Sequence, residues 1–171
     1  MILPDTISHI GSNAFKGMLS LTEISFPAAL TTISDGTCNG CTSLSRVAFS
    51  AALTAIEGFA FRGCSAITAI TLPDATTTIG QFAFRGCRSL KKLTLSAALV
   101  TIGCGSFRGC SSLAEVTLPA TLKTIEDDAF YECILLTKPV LPALTTVGDG
   151  AWELTRPAAI TTLGAFTGRL L

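Results

Sequence analysis

The stretch Leu113-Ala-Glu-Val-Thr-Leu118-Pro-Ala-Thr-Leu122-Lys-Thr-Ile125-Glu-Asp-Asp-Ala129-Phe130-Tyr-Glu-Cys133 decides how the rest of the chain is read. Alternation over residues 115–118 turns Val116 and Leu118 inward and Glu115 and Thr117 outward, which predicts a short strand. Pro119 cannot extend a ladder and turns the chain. Leu122 and Ile125 then cross a second face. The five residues from Ala129 to Cys133 leave room for about one 3₁₀ turn, which carries Phe130 into the core.

This pattern recurs in one register along the chain. Phe15, Phe61, Phe84, Phe107 and Phe130 lie on a 23-residue grid, with Cys38 in the gap. Ile10, Ile33, Ile56, Ile79, Ile102 and Ile125 keep the period, as do Cys41, Cys64, Cys87, Cys110 and Cys133. Leu21, Leu44, Ile67, Leu90, Leu113 and Leu136 add a fourth column. Pro4, Pro27, Pro73, Pro119 and Pro142 form a fifth, with Ser50 and Ser96 substituting. A single coil of this length cannot bury its apolar edge, but stacked coils share one continuous core. Each column becomes a ladder of like residues about 4.8 Å apart. Each buried ring of the Phe column contributes on the order of 2–3 kcal/mol. Cys38 then predicts a local packing deficit unless Phe26 or Phe59 moves to fill it.

The expected architecture is a leucine-rich-repeat, right-handed solenoid with a parallel concave sheet, mostly β with short 3₁₀ or turn segments. It occupies residues 1–171 as one unit, with regular 23-residue repeats over about 1–142 and degenerate repeats or a cap over 143–171. Pro139 stands where a strand residue belongs, and the units around Leu144, Trp152, Pro157 and Phe166 are shortened. Met1 to Leu3 already occupy strand positions, so the N-terminal edge is read as uncapped and as a route to self-association.

Composition sets the outer limits. Charged residues make up 14% of the chain and apolar ones 49%, which argues against disorder. Twelve basic residues balance twelve acidic ones, so no net field draws in nucleic acid or an anionic membrane. No apolar run approaches the roughly 18 residues of a membrane helix. Met1 to Asp5 show no basic segment followed by an apolar core, so the chain is read as intracellular or as a segment without its leader.

The unit Leu-x-x-Ile-x-Leu-Pro-x-x-Leu-x-x-Ile-Gly-x-x-Ala-Phe-x-Gly-Cys resembles the BspA-like leucine-rich-repeat family. The resemblance is carried best by Ile79-Gly-Gln-Phe-Ala-Phe-Arg-Gly-Cys87 and by Leu118-Pro-Ala-Thr-Leu-Lys-Thr-Ile125, and extends over roughly residues 1–150. The family is known from bacteria and protists, and the resemblance implies a cell-surface or secreted setting and adhesion to host or matrix proteins; it brings no catalytic residues and no cofactor. Repeat family does not fix the ligand.

Candidate sites follow from residues that depart from the core columns. Arg62, Arg85 and Arg108 form a basic column with Arg88 nearby, and Glu57, Asp74 and Glu126 are the carboxylates expected to screen it. Repeated guanidinium groups can hold phosphate or carboxylate-rich partners; a solvated face is the plainer reading. Phe59 and Phe82 occupy a position filled by Asn13, Gly36, Gly105 and Asp128 in other coils. They are read either as an exposed contact pair beside the arginines or as rings folded over the convex side. On the concave strands Glu23, Arg46, Lys92 and Glu115 are the charged contact candidates. The cysteine column reads as buried thiols, with a disulfide or metal as alternatives, and Cys104 lies off it as the exposed thiol. His9 reads as a solvated turn residue, and mixed outward columns argue against a flat threonine array at Thr78, Thr101 and Thr124.

The expected function is therefore a non-catalytic protein- or glycan-interaction module, with cell-surface adhesion as the finer reading. The alternative is a structural spacer or part of a longer array. No metal and no cofactor is implied.

Overall fold

The computed structural model describes residues 1–143 and 145–155. Leu144, Pro157 and Phe166, expected in shortened terminal coils, lie outside the described residues. Each coil crosses two faces, on which it forms short strands, and closes through a turn edge.

On the first face are the three-residue strands β1 (Glu23–Ser25), β3 (Arg46–Ala48), β5 (Ala69–Thr71) and β7 (Lys92–Thr94). On the second are the two-residue strands β2 (Thr32–Ile33), β4 (Ala55–Ile56), β6 (Thr78–Ile79), β8 (Thr101–Ile102), β9 (Thr124–Ile125) and β10 (Thr146–Val147). All pairings are parallel and in register, Ile33 on Ile56, Ile56 on Ile79 and so on. The unbroken ladder is the second face, where six strands follow one another in the order β10-β9-β8-β6-β4-β2. The first face divides into two pairs, β1-β3 and β5-β7.

Each of these pairs joins a proline coil (Pro27, Pro73) to the serine coil that follows it. Ser50 and Ser96 donate back to the carbonyls of Ala28 and Asp74, at 2.6 and 2.9 Å. The strand expected at 115–118 is absent: Val116 points inward and Glu115 and Thr117 outward, but no ladder forms. Its next neighbour carries Pro139, which has no N–H to donate. An apolar cleft opens there, lined by Val116, Leu118, Pro139 and Leu141.

Side chains pack like on like inside the coil stack. Phe61, Phe84, Phe107 and Phe130 are fully buried, and their rings stack 5.3, 5.4 and 5.3 Å apart within 10° of parallel. Trp152 extends the ladder, 4.7 Å from Phe130. The gap at Cys38 is filled by Phe26 and Phe49, both edge-on to Phe61 at 6.3 and 5.8 Å. Phe26 thus fills the space as one of the two expected alternatives, and Phe59 stays on the turn edge.

The buried alanine column Ala60, Ala83, Ala129 and Ala151 is interrupted by Ser106, whose hydroxyl has no partner. An unpaired buried hydroxyl costs about 1–3 kcal/mol of desolvation. Ser106→Ala should therefore raise stability by about 1 kcal/mol in urea unfolding. A loss of stability would show that the hydroxyl is satisfied in solution.

Candidate contact surface on the turn edge

The turn edge is a third backbone ladder built from turns. Within a coil, Arg62 N–H donates to Phe59 C=O and Cys64 N–H to Phe61 C=O, both i to i−3 bonds. The alternate amides reach the next coil: Phe59 to Gln81 C=O, Phe61 to Ala83 C=O and Gly63 to Arg85 C=O, at 2.9, 2.7 and 2.7 Å. To aim successive amides in different directions, two residues per coil adopt a left-handed backbone. The single 3₁₀ turn expected from sequence is accordingly a run of turns with left-handed breaks.

One left-handed column is Gly17, Gly40, Gly63, Gly86 and Gly109, with Glu132 and Leu154 continuing it. The other is Asn13, Gly36, Phe59, Phe82, Gly105, Asp128 and Gly150. Glycine, asparagine and aspartate enter this region at least cost, whereas a bulky side chain there carries strain. In this second column Phe59 at φ 56° and Phe82 at φ 53° are the exceptions, as Glu132 and Leu154 are in the first.

The two strained rings lie together. Their centroids are 5.3 Å apart, tilted by 32°, and both are half-buried. Arg62 and Arg85 place their guanidinium carbons 5.9 and 5.5 Å from the Phe59 and Phe82 centroids, within cation–π range. The Phe82 ring leans over Gly105, where an added Cβ would collide with it. The rings thus stand between the two expected arrangements, packed along the edge and partly open to solvent.

Arg108 differs from its column mates. It forms an ion pair with Asp128 at 2.8 Å and lies 4.4 Å from the Tyr131 centroid. The carboxylates expected to screen the column do not do so. Glu57 accepts the Asp35 amide and Glu126 the Cys104 amide, each at 2.9 Å, and Asp74 faces solvent. Glu57 and Glu126 thus satisfy backbone donors instead. Among the described residues Arg62, Arg85 and Arg88 have no ion-pair partner.

A family model described as a BspA type leucine rich repeat region, in six copies, matches residues 1–96 and 31–158. The chain belongs to that family. Its fold is also that of solved bacterial repeat proteins. A T. pallidum leucine rich repeat protein is 32% identical with a TM-score of 0.84, over 90% of this chain and 74% of that one. A leucine-rich repeat protein from Bacteroides ovatus is 28% identical with a TM-score of 0.67, over 90% and 49% of the two chains. One from Eubacterium ventriosum is 27% identical with a TM-score of 0.59, over 86% and 45%. This chain therefore spans about half the length of the last two. No curated protein matches the sequence.

The remaining candidates of this BspA-type chain are dispersed. On the first face Glu23 and Arg46 pair across β1 and β3 at 3.5 Å, both well exposed, where screening leaves such a pair little energy. Lys92 is exposed on β7, and Glu115 is exposed outside any strand. His9 is exposed. The seven cysteines are free, and six are buried while Cys104 is half-buried. The column thiols donate backward to carbonyls one coil earlier, Cys87 to Phe61 and Cys110 to Phe84 at 3.3 Å. Burial pushes the Cys64 thiol up to about 12 and those of Cys87 and Cys110 well above the ordinary 9.0.

Two outcomes follow from this chemistry. Raised thiols contribute stability that is complete below the unfolded value near 9 and declines above it, where only the unfolded chain ionises. Stability should fall by about 1.4 kcal/mol per pH unit per buried thiol above that point. Urea melts at pH 8 and 10 measure this, and an unchanged midpoint would mean that the native thiols ionise. At the turn edge, Phe82→Asn relieves left-handed strain of about 1–2 kcal/mol while removing a half-buried ring. It should change stability by less than about 1 kcal/mol, against about 3–5 for Phe84→Ala in the core. A core-sized loss at Phe82 would make that ring a packing element alone.

Proposed function

We propose that the chain is a non-catalytic interaction module that binds a protein or glycan partner through the turn edge centred on Phe59, Phe82, Arg62 and Arg85. One observation carries this reading. Two adjacent phenylalanines occupy left-handed positions that other coils fill mainly with glycine, asparagine or aspartate, and they stay partly exposed beside two unpaired arginines. Strain retained without full burial motivates a functional reading of the pair. Aromatic and arginine side chains are also those that dominate binding energy at interfaces. The family resemblance supplies adhesion at a cell surface as the setting. Arg108, neutralised by Asp128, is a peripheral member, and the dispersed charges Glu23, Arg46, Lys92 and Glu115 are at most auxiliary contacts.

The spacer reading draws support from the packing of Phe82 over Gly105, because rings that only seal the edge need no partner. The two are separated by screening the chain against a panel of extracellular-matrix proteins and neutral glycans. The variant Phe59→Asn, Phe82→Asn, Arg62→Ala, Arg85→Ala should lose at least tenfold in affinity for any panel partner while unfolding at a similar urea midpoint. Equal binding by both proteins would rule out this surface, and no partner at all would favour the spacer.

A further inference from the structure

We infer that the turn edge accommodates an acidic glycan, a polysaccharide segment carrying carboxylate or sulfate groups, in the groove between Arg62, Arg85 and Arg88. The inference rests on the contact-surface reading and names its ligand class. Two cavities of about 310 and 330 Å³ adjoin there, and Arg85, Gly86 and Arg88 line both. The floor is the left-handed glycine column, where Gly63 and Gly86 carry no side chain between the walls. Arg62 and Arg85 stand one coil apart on one wall, about 4.8 Å along the stack. Arg88 stands on the other with the hydroxyls of Thr42 and Ser65.

Charge is concentrated despite the neutral chain. The first cavity has three guanidinium groups and no carboxylate in its lining. In the second, Arg108 is matched by Asp128, and Glu132 closes the C-terminal end. The ligand should therefore place two or three anionic groups at successive coils. Guanidinium groups bind carboxylate and sulfate oxygens in pairs, which suits a rigid line of such groups.

The backbone favours a sugar over a peptide. The groove amides are already spent: Gly63 donates to Arg85 C=O, Ser65 to Gly63 C=O, Gly86 to Arg108 C=O and Arg88 to Gly86 C=O, at 2.7–2.8 Å. No unpaired edge remains for an extended acidic peptide to join as a strand, the usual source of its main-chain affinity. A pyranose chain has no amide to satisfy. Its hydroxyls suit those of Thr42 and Ser65, which line the first cavity. Three arginines are also few for a duplex, whose affinity comes from neutralising many phosphates.

The test is calorimetric titration of the full chain with a heparin hexasaccharide, an oligogalacturonate and poly-glutamate at 50 and 200 mM salt. At least one glycan should bind, more weakly at the higher salt, and more tightly than poly-glutamate. Arg88→Glu, an exposed change outside the proposed aromatic pair, should weaken that binding at least tenfold, and Arg88→Lys should restore part of it. Binding by heparin alone assigns sulfate, and binding by both assigns carboxylate as sufficient. Tighter binding of poly-glutamate would overturn the glycan in favour of an acidic peptide. If neither glycan binds while the four-residue variant still loses its panel partner, the glycan assignment falls and the contact surface stands. If glycan binding survives both Arg88→Glu and the four-residue variant, neither the groove nor the surface is the site.

Discussion

Every feature of this molecule depends on coil-to-coil backbone hydrogen bonding in strict register. A 23-residue coil has too little apolar area to close on itself, so its amides and its side chains must both find partners in the next coil. The register makes those partners identical. Ile33, Ile56 and Ile79 therefore stack along the second face, and Phe61, Phe84 and Phe107 stack ring on ring. Where one member of a column is missing, neighbours from another column fill the space, as Phe26 and Phe49 do around Cys38.

The same constraint shapes the turn edge. Sending alternate amides to the next coil within a tight bend requires left-handed residues at two positions per coil. Glycine at both would satisfy the backbone and leave a bare edge. One column does this from Gly17 to Gly109 and forms a smooth groove floor. The other admits side chains, and where those are Phe59 and Phe82 the backbone bears a cost that the core does not repay. The arginines at 62 and 85 then project beside rings that are only half covered. The surface proposed for recognition is thus a by-product of the hydrogen-bonding scheme, occupied by side chains that the scheme disfavours.

Electrostatics separates members of a column that look equivalent in sequence. Arg62, Arg85 and Arg108 are related by the repeat, yet only Arg108 meets a carboxylate, because the left-handed position one coil onward holds Asp128 in place of a phenylalanine or glycine. Glu57 and Glu126 lie close in sequence terms but are drawn to backbone amides, Asp35 and Cys104, that would otherwise be unsatisfied. Among the described residues, arginine without an ion-pair partner is consequently confined to the middle coils, beside the two strained rings.

Periodicity in the sequence determined the fold class, the core columns, the inward turn of Val116 and the candidate surface of phenylalanines and arginines. It could do so because stacked coils translate a linear repeat directly into neighbours. Even the left-handed position left a trace, in the Asn, Gly and Asp that share a column with Phe59 and Phe82. Only the tertiary structure decided which ladder is continuous, since one missing N–H at Pro139 and the pairing of proline with serine coils act between chain segments. The partners of each charge were likewise decided there. A carboxylate binds whichever donor its coil geometry brings within reach, and that geometry is set by the twist and closure of the stack, which no column of letters records.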